Sequence, residues 1–240
     1  NGLAGLKHWR YDLLAGMQVA LVSLPFESER LAVRALGLVV TLPEALVGAS
    51  VLAAAVAAWR SRQDRAFALA AAGFVVALLI SAALAPEHQG NAARFCLRMA
   101  GGAAFGLAIA WLVAERRGRA GLLLGAYAAG VAVASILGVA EAVAPDGVAP
   151  LLGLFREEPV FAAALPRATG TYGYPNTAAT SIAMALPAAV VLTAAARGAA
   201  ARAAGWAGVA VMAATLVLTL SRGGLVAAAF GLVLLVALSG

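Results

Sequence analysis

Two short stretches of this chain combine cations, hydroxyls and glycines in a way that apolar packing does not require. The first reads Arg167-Ala168-Thr169-Gly170-Thr171-Tyr172-Gly173-Tyr174-Pro175-Asn176. Gly170 and Gly173 permit backbone conformations that other residues avoid, so that amides can converge on an anion. Arg167 adds a guanidinium, and Thr169 and Thr171 add hydroxyls. Asn176 or Thr177 is expected to cap the helix that follows, whose N-terminus carries partial positive charge. The second stretch reads Leu218-Thr219-Leu220-Ser221-Arg222-Gly223-Gly224. An arginine between two apolar runs is costly unless it snorkels or has a partner. Its planar fork suits phosphate, because it donates two parallel hydrogen bonds. The chemistry on offer is the gripping of an anion, a phosphate above all, where the chain enters an apolar medium.

Plainer roles stand beside that one. Arg222 also fits an interfacial anchor, and Arg167 an ordinary loop cation. His88 has no nucleophile or ligand spacing around it and reads as a solvated loop residue. Glu141, near the end of an apolar run, reads as a helix-end residue, and Glu157-Glu158 as a solvated charge pair. The Gly102…Gly106 and Gly121…Gly125 spacings fit close helix packing. The one cysteine, Cys96, excludes an internal disulfide, and no Cys/His cluster has metal-ligand spacing. Neither a metal nor a cofactor is expected.

The elements that must position these residues are membrane helices. Hydrophobic residues make up 63% of the chain and charged residues 12%, against about a quarter charged in a soluble domain. The charges are clustered, and the long uncharged stretches recur, which one signal peptide does not explain. Apolar runs cover residues 13–26, 43–59, 67–84, 95–114, 120–143, 178–196 and 205–220, and an eighth starts at 225. All but the first and last are long enough, at about 1.5 Å per residue, to cross most of a hydrocarbon core about 30 Å thick. The expected fold is therefore all-α, a polytopic transmembrane bundle of seven to eight visible spans forming one domain over residues 1–240. The chain begins without Met and stops inside an apolar run, so a longer protein is expected. Residues 27–41 are mixed in character and are expected outside the hydrocarbon or on its surface. Residues 144–177 form the only long polar connection.

The net charge of +6 does not indicate nucleic acid, because Lys and Arg fall mainly in short loops between apolar runs, as a topology signal would. With the N-terminus cytoplasmic, ten of the 17 basic residues lie inside, among them Lys7, Arg10, Arg60 and Arg116. Arg167 and Arg222 then fall on the outer side with the 144–177 loop.

In this order and setting, the two stretches resemble the O-antigen ligase and O-antigen polymerase superfamily of bacterial membrane glycosyltransferases. The residues that carry the resemblance are Arg167 to Tyr172, Pro175-Asn176 opening a helix, and Thr219-Leu220-Ser221-Arg222-Gly223-Gly224 ending the next. A looser likeness, from Leu24-Pro25-Phe26 through Pro43-Glu44 and the later spans, extends it over nearly the whole chain. The resemblance implies an enzyme of the inner membrane, its N-terminus cytoplasmic and its active face periplasmic. It implies transfer of a glycan from undecaprenyl diphosphate to lipid A–core, to another glycan or to a protein. Arg167 and Arg222 match the positions thought to hold the donor diphosphate, with Thr169, Gly170, Thr171, Asn176, Ser221 and Gly223 supporting them. The family's histidine lies in a downstream external loop, beyond Gly240, so these 240 residues are expected to be inactive alone and no catalytic residue is assigned within them. Two other readings fit a polytopic membrane protein: a transporter of an anionic or lipid-linked solute, and a structural subunit of a cell-envelope complex.

Overall fold

A helix covers most of each of the eight apolar runs in a computed structural model, which describes residues 2–28, 33–35, 38–58, 65–84, 89–115, 118–156, 161–162 and 165–239. The helices are α1 (Gly2–Ser23), α2 (Leu42–Ala58), α3 (Arg65–Ala83), α4 (Gln89–Glu115), α5 (Gly118–Val143), α6 (Pro145–Leu152), α7 (Pro175–Ala194), α8 (Ala199–Leu218) and α9 (Arg222–Ser239). Long runs of Ala, Leu and Val, with no backbone group free to seek water, leave the helix as the only way to satisfy every amide locally. Extended pairing among the described residues is confined to two short antiparallel ladders. Val33–Ala35 (β1) pairs with Leu38–Val40 (β2), and Phe161–Ala162 (β3) pairs with Leu165–Pro166 (β4).

The seven to eight spans expected from the sequence are shown in part. Among the described residues three helices are long and apolar enough to cross a membrane, and they mark the chain as a membrane protein. They are Arg119–Val143, Pro175–Ala194 and Ala199–Leu218. Shorter apolar helical stretches among the described residues are Asp12–Phe26, Ala72–Ser81, Arg98–Ala114 and Arg222–Leu238. The 144–177 connection is also more ordered than a loop: Pro145, with its fixed φ, opens α6, and that helix buries Leu152.

The chain divides into two units, residues 1–20 with 44–120 and residues 21–43 with 121–240. In the first, α3 packs on α4, and the Cys96 thiol of α4 donates to the Leu78 carbonyl of α3 at 3.2 Å. Phe105, Ala108, Trp111 and Leu112 share one face of α4 at helical spacing and are buried. An Arg98–Glu44 ion pair of 2.8 Å joins α4 to the first turn of α2.

In the second unit α7 is central, packing along both α8 and α9. Its Ala179, Ile182, Ala183, Ala185, Leu186 and Ala189 meet Val131 of α5, Met212 and Leu216 of α8 and Ala228 of α9. Alanines at this seam allow the helices to approach closely, where packing must replace a hydrophobic driving force that lipid does not provide. Approach is close at Gly224, where an added Cβ would lie 2.5 Å from that of Ala179. The spacings singled out in the sequence are looser. Gly102 and Gly106 would meet nothing within 4 Å, and Gly121 and Gly125 make ordinary contact with Leu192. Large apolar side chains on the outer faces, such as Ile136, Met184, Val217, Phe230 and Val236, are exposed, which suits lipid rather than water.

Candidate functional site: an arginine-bearing junction of helix ends

The two stretches that stood out in the sequence meet in the second unit. The Ala168 amide donates to the Leu218 carbonyl at 3.0 Å, tying the first stretch to the C-terminal end of α8. Arg167 extends the tie, its Nε donating to the Thr219 carbonyl at 2.7 Å and an Nη to Asn176 Oδ1 at 3.1 Å. A cation at this place compensates the partial negative charge of the α8 terminus. A guanidinium has five N–H donors, so part of the fork stays uncommitted. Asn176 is therefore a partner of Arg167 rather than a cap. The residue before α7 is Tyr174, without a capping side chain, and the helix starts on Pro175, whose missing N–H costs nothing there.

The second stretch makes a sharp passage between α8 and α9. Leu220 takes a positive φ of 53°, an uncommon state for a residue with a Cβ. Ser221 then caps α9, its Oγ accepting the Gly224 amide at 3.4 Å, while the first helical bond runs from the Leu225 amide to the Ser221 carbonyl at 3.1 Å. The amides of Arg222 and Gly223 are the first-turn donors left over. Arg222 is exposed, and among the described residues no hydrogen bond or ion pair engages its guanidinium. An added Cβ at Gly223 would meet nothing within 4 Å. A free guanidinium, free amides and the positive end of a helix thus lie on one turn.

Behind this junction is a polar cluster that the sequence did not announce. Glu141, in the last turn of α5, is only 5% exposed. Its Oε2 accepts the amides of Thr169 and Gly170, each at 2.9 Å. Its Oε1 takes a charge-assisted bond from Arg156, whose other Nη donates to Thr169 Oγ1 at 2.5 Å. Gly170 sits at φ +56° with its Cβ position 2.5 Å from the Ala134 carbonyl, so glycine is required both by conformation and by space. Thr171 donates its hydroxyl to the Pro25 carbonyl. Tyr172 packs with Ala134, Ala178 and Phe26, and burial lifts its phenol above the usual tyrosine range.

The residues singled out in the sequence therefore divide by duty. Thr169, Gly170 and Thr171 are buried and shape the loop; Asn176 and Ser221 orient Arg167 and α9; Arg222 and Gly223 remain open. Glu141, read as an ordinary helix-end residue, and Arg156, not singled out, are the pair missed. The signal for Glu141 was its place: a carboxylate at the C-terminal end of an apolar helix opposes the helix field and calls for a partner. His88 and Glu157-Glu158 lie outside the described residues. Among the described residues no group of His, Cys, Asp and Glu could hold a metal. No family model, curated protein or solved structure matches the chain.

Proposed function

We propose that this chain is the donor-binding part of a bacterial membrane glycosyltransferase of the O-antigen ligase type. It takes a glycan from undecaprenyl diphosphate and passes it to lipid A–core or another acceptor at the periplasmic face of the inner membrane. One observation carries the reading. The two stretches that motivate it lie some fifty residues apart in sequence, yet they join directly through Ala168 and Arg167. That junction leaves the Arg222 guanidinium and the first amides of α9 unengaged.

In the reaction an acceptor hydroxyl oxygen attacks the anomeric carbon of the donor glycan. The carbon–oxygen bond to the diphosphate breaks, and the polyprenyl diphosphate leaves with the electron pair. The hydroxyl proton passes to a base that the resemblance places downstream of these residues. Arg222, the α9 amides and the uncommitted part of Arg167 are suited to hold the diphosphate and to offset the charge that grows on it as the bond breaks. The finer topology belongs to the same proposal: seven to eight spans, the N-terminus cytoplasmic and the junction of α7, α8 and α9 at the periplasmic boundary.

The test is Arg222→Ala in the protein expressed from its whole gene. Transfer of lipid-linked glycan should fall by at least about a hundredfold, the order of loss seen when a group stabilising the transition state is removed, while membrane insertion is unchanged. Normal glycan attachment by this variant would remove Arg222 from the site and the reading with it.

A further inference from the structure

We propose that Glu141, with Arg156 as its counter-ion, is the positioning residue of the candidate anion site, fixing the backbone from which Arg167 reaches out. The proposal rests on the diphosphate reading above and deepens it. Glu141 occupies an unfavourable place twice over. It is buried, and it sits within the last turn of α5, whose terminal carbonyls oppose a negative charge. Leucine would be the less costly residue in an apolar bundle, since a buried ion pair gives little net stability against hydrophobic packing. What leucine lacks is an acceptor. Thr169 and Gly170 are buried in irregular backbone, and both amides end on Glu141 Oε2 at 2.9 Å. Without the carboxylate both would lose their partner.

Arg156 completes the arrangement from the other side. It pairs with Glu141 Oε1 and reaches Thr169 Oγ1, so that one guanidinium spans the carboxylate and the loop. It also cancels a negative charge that would otherwise stand behind an anion-binding loop. Arg167 lies two residues before Thr169, with Ala168 bonded to Leu218 on one flank and Thr169 bonded to Glu141 on the other. The segment that bears the arginine is thus anchored on both sides, to α8 and to α5.

The experiment uses the protein from its whole gene in lipid nanodiscs, with farnesyl diphosphate as the probe. Wild type, Glu141→Gln, Arg156→Gln, the double variant and Arg222→Ala are compared for probe affinity, and hydrogen exchange is followed at Thr169 and Gly170. Glu141→Gln sets an amide NH2 against the Arg156 guanidinium. It should weaken the probe by about tenfold or more, within the range that small misplacements of binding groups cost, and speed exchange at both amides while α7 and α8 keep their protection. In the double variant the side-chain carbonyl introduced at position 141 can keep both loop amides, and its NH2 can donate to the amide oxygen introduced at position 156. Recovery of affinity there supports the assignment, even if either single variant inserts poorly. Wild-type affinity in an inserted Glu141→Gln overturns it, as does a double variant no better than the single ones. If Arg222→Ala loses the probe while Glu141→Gln keeps it, the assignment falls and the diphosphate reading stands. A wild type that does not retain farnesyl diphosphate overturns both.

Discussion

Two arginine–glutamate ion pairs of this molecule are alike in chemistry and differ in nearly everything else. Arg98 and Glu44 meet at 2.8 Å with side chains 53% and 29% exposed. Glu44 stands in the first turn of α2, where the helix field favours a carboxylate. Arg156 and Glu141 meet with side chains 9% and 6% exposed, and Glu141 stands in the last turn of α5, where the field opposes it. The first pair joins two helices that already have their backbone bonds. The second provides acceptors to a stretch of loop that has none of its own. The contrast shows that distance between opposite charges says little about their importance, whereas the backbone groups that depend on them say a great deal.

The comparison can be broken most forcefully at Glu141→Ala, which strands a buried guanidinium and two loop amides. We expect a loss of about 3–5 kcal/mol, read as a fall in the unfolding midpoint of the detergent-solubilised protein. Gly170→Ala tests the same loop without touching a charge. Its positive φ and the nearby Ala134 carbonyl should cost about 1–3 kcal/mol, with exchange accelerated across 167–172. Ser221→Ala removes a cap next to the loop and should cost about 1 kcal/mol by the same unfolding measurement. Arg98→Ala closes the series at less than about 1 kcal/mol. A loss at Arg98 as large as that at Glu141 would abolish the distinction between the two pairs.

The helices could be read in the sequence because their signal is local. Apolar runs punctuated by arginines, such as Arg197 before α8 and Arg202 in its first turn, need no tertiary information to be read as helices. Their starts were harder to see, since residues 89–94 belong to α4 although its apolar run begins at 95. The junction was half legible. Arg167 and Arg222 stood out because arginine beside apolar runs is unusual, but Asn176 was given a capping role that Pro175 and Tyr174 make unnecessary. The Glu141–Arg156 pair was not legible, because nothing local in 141 or 156 says that a turn of α6 will bring them together, or that the amides they serve belong to 169 and 170.

The bond from Arg167 to the Thr219 carbonyl has one more consequence. It closes the end of α8, so an anion that recruits Nε beside the uncommitted part of the fork competes with the helix for that donor. Occupancy and fraying are then thermodynamically reciprocal: whatever loosens the last turn of α8 frees the arginine for a ligand, and a ligand that takes the arginine loosens that turn by the same free energy. Arg167 is thus a point of exchange between two acceptors, one belonging to the protein and the other to whatever it binds.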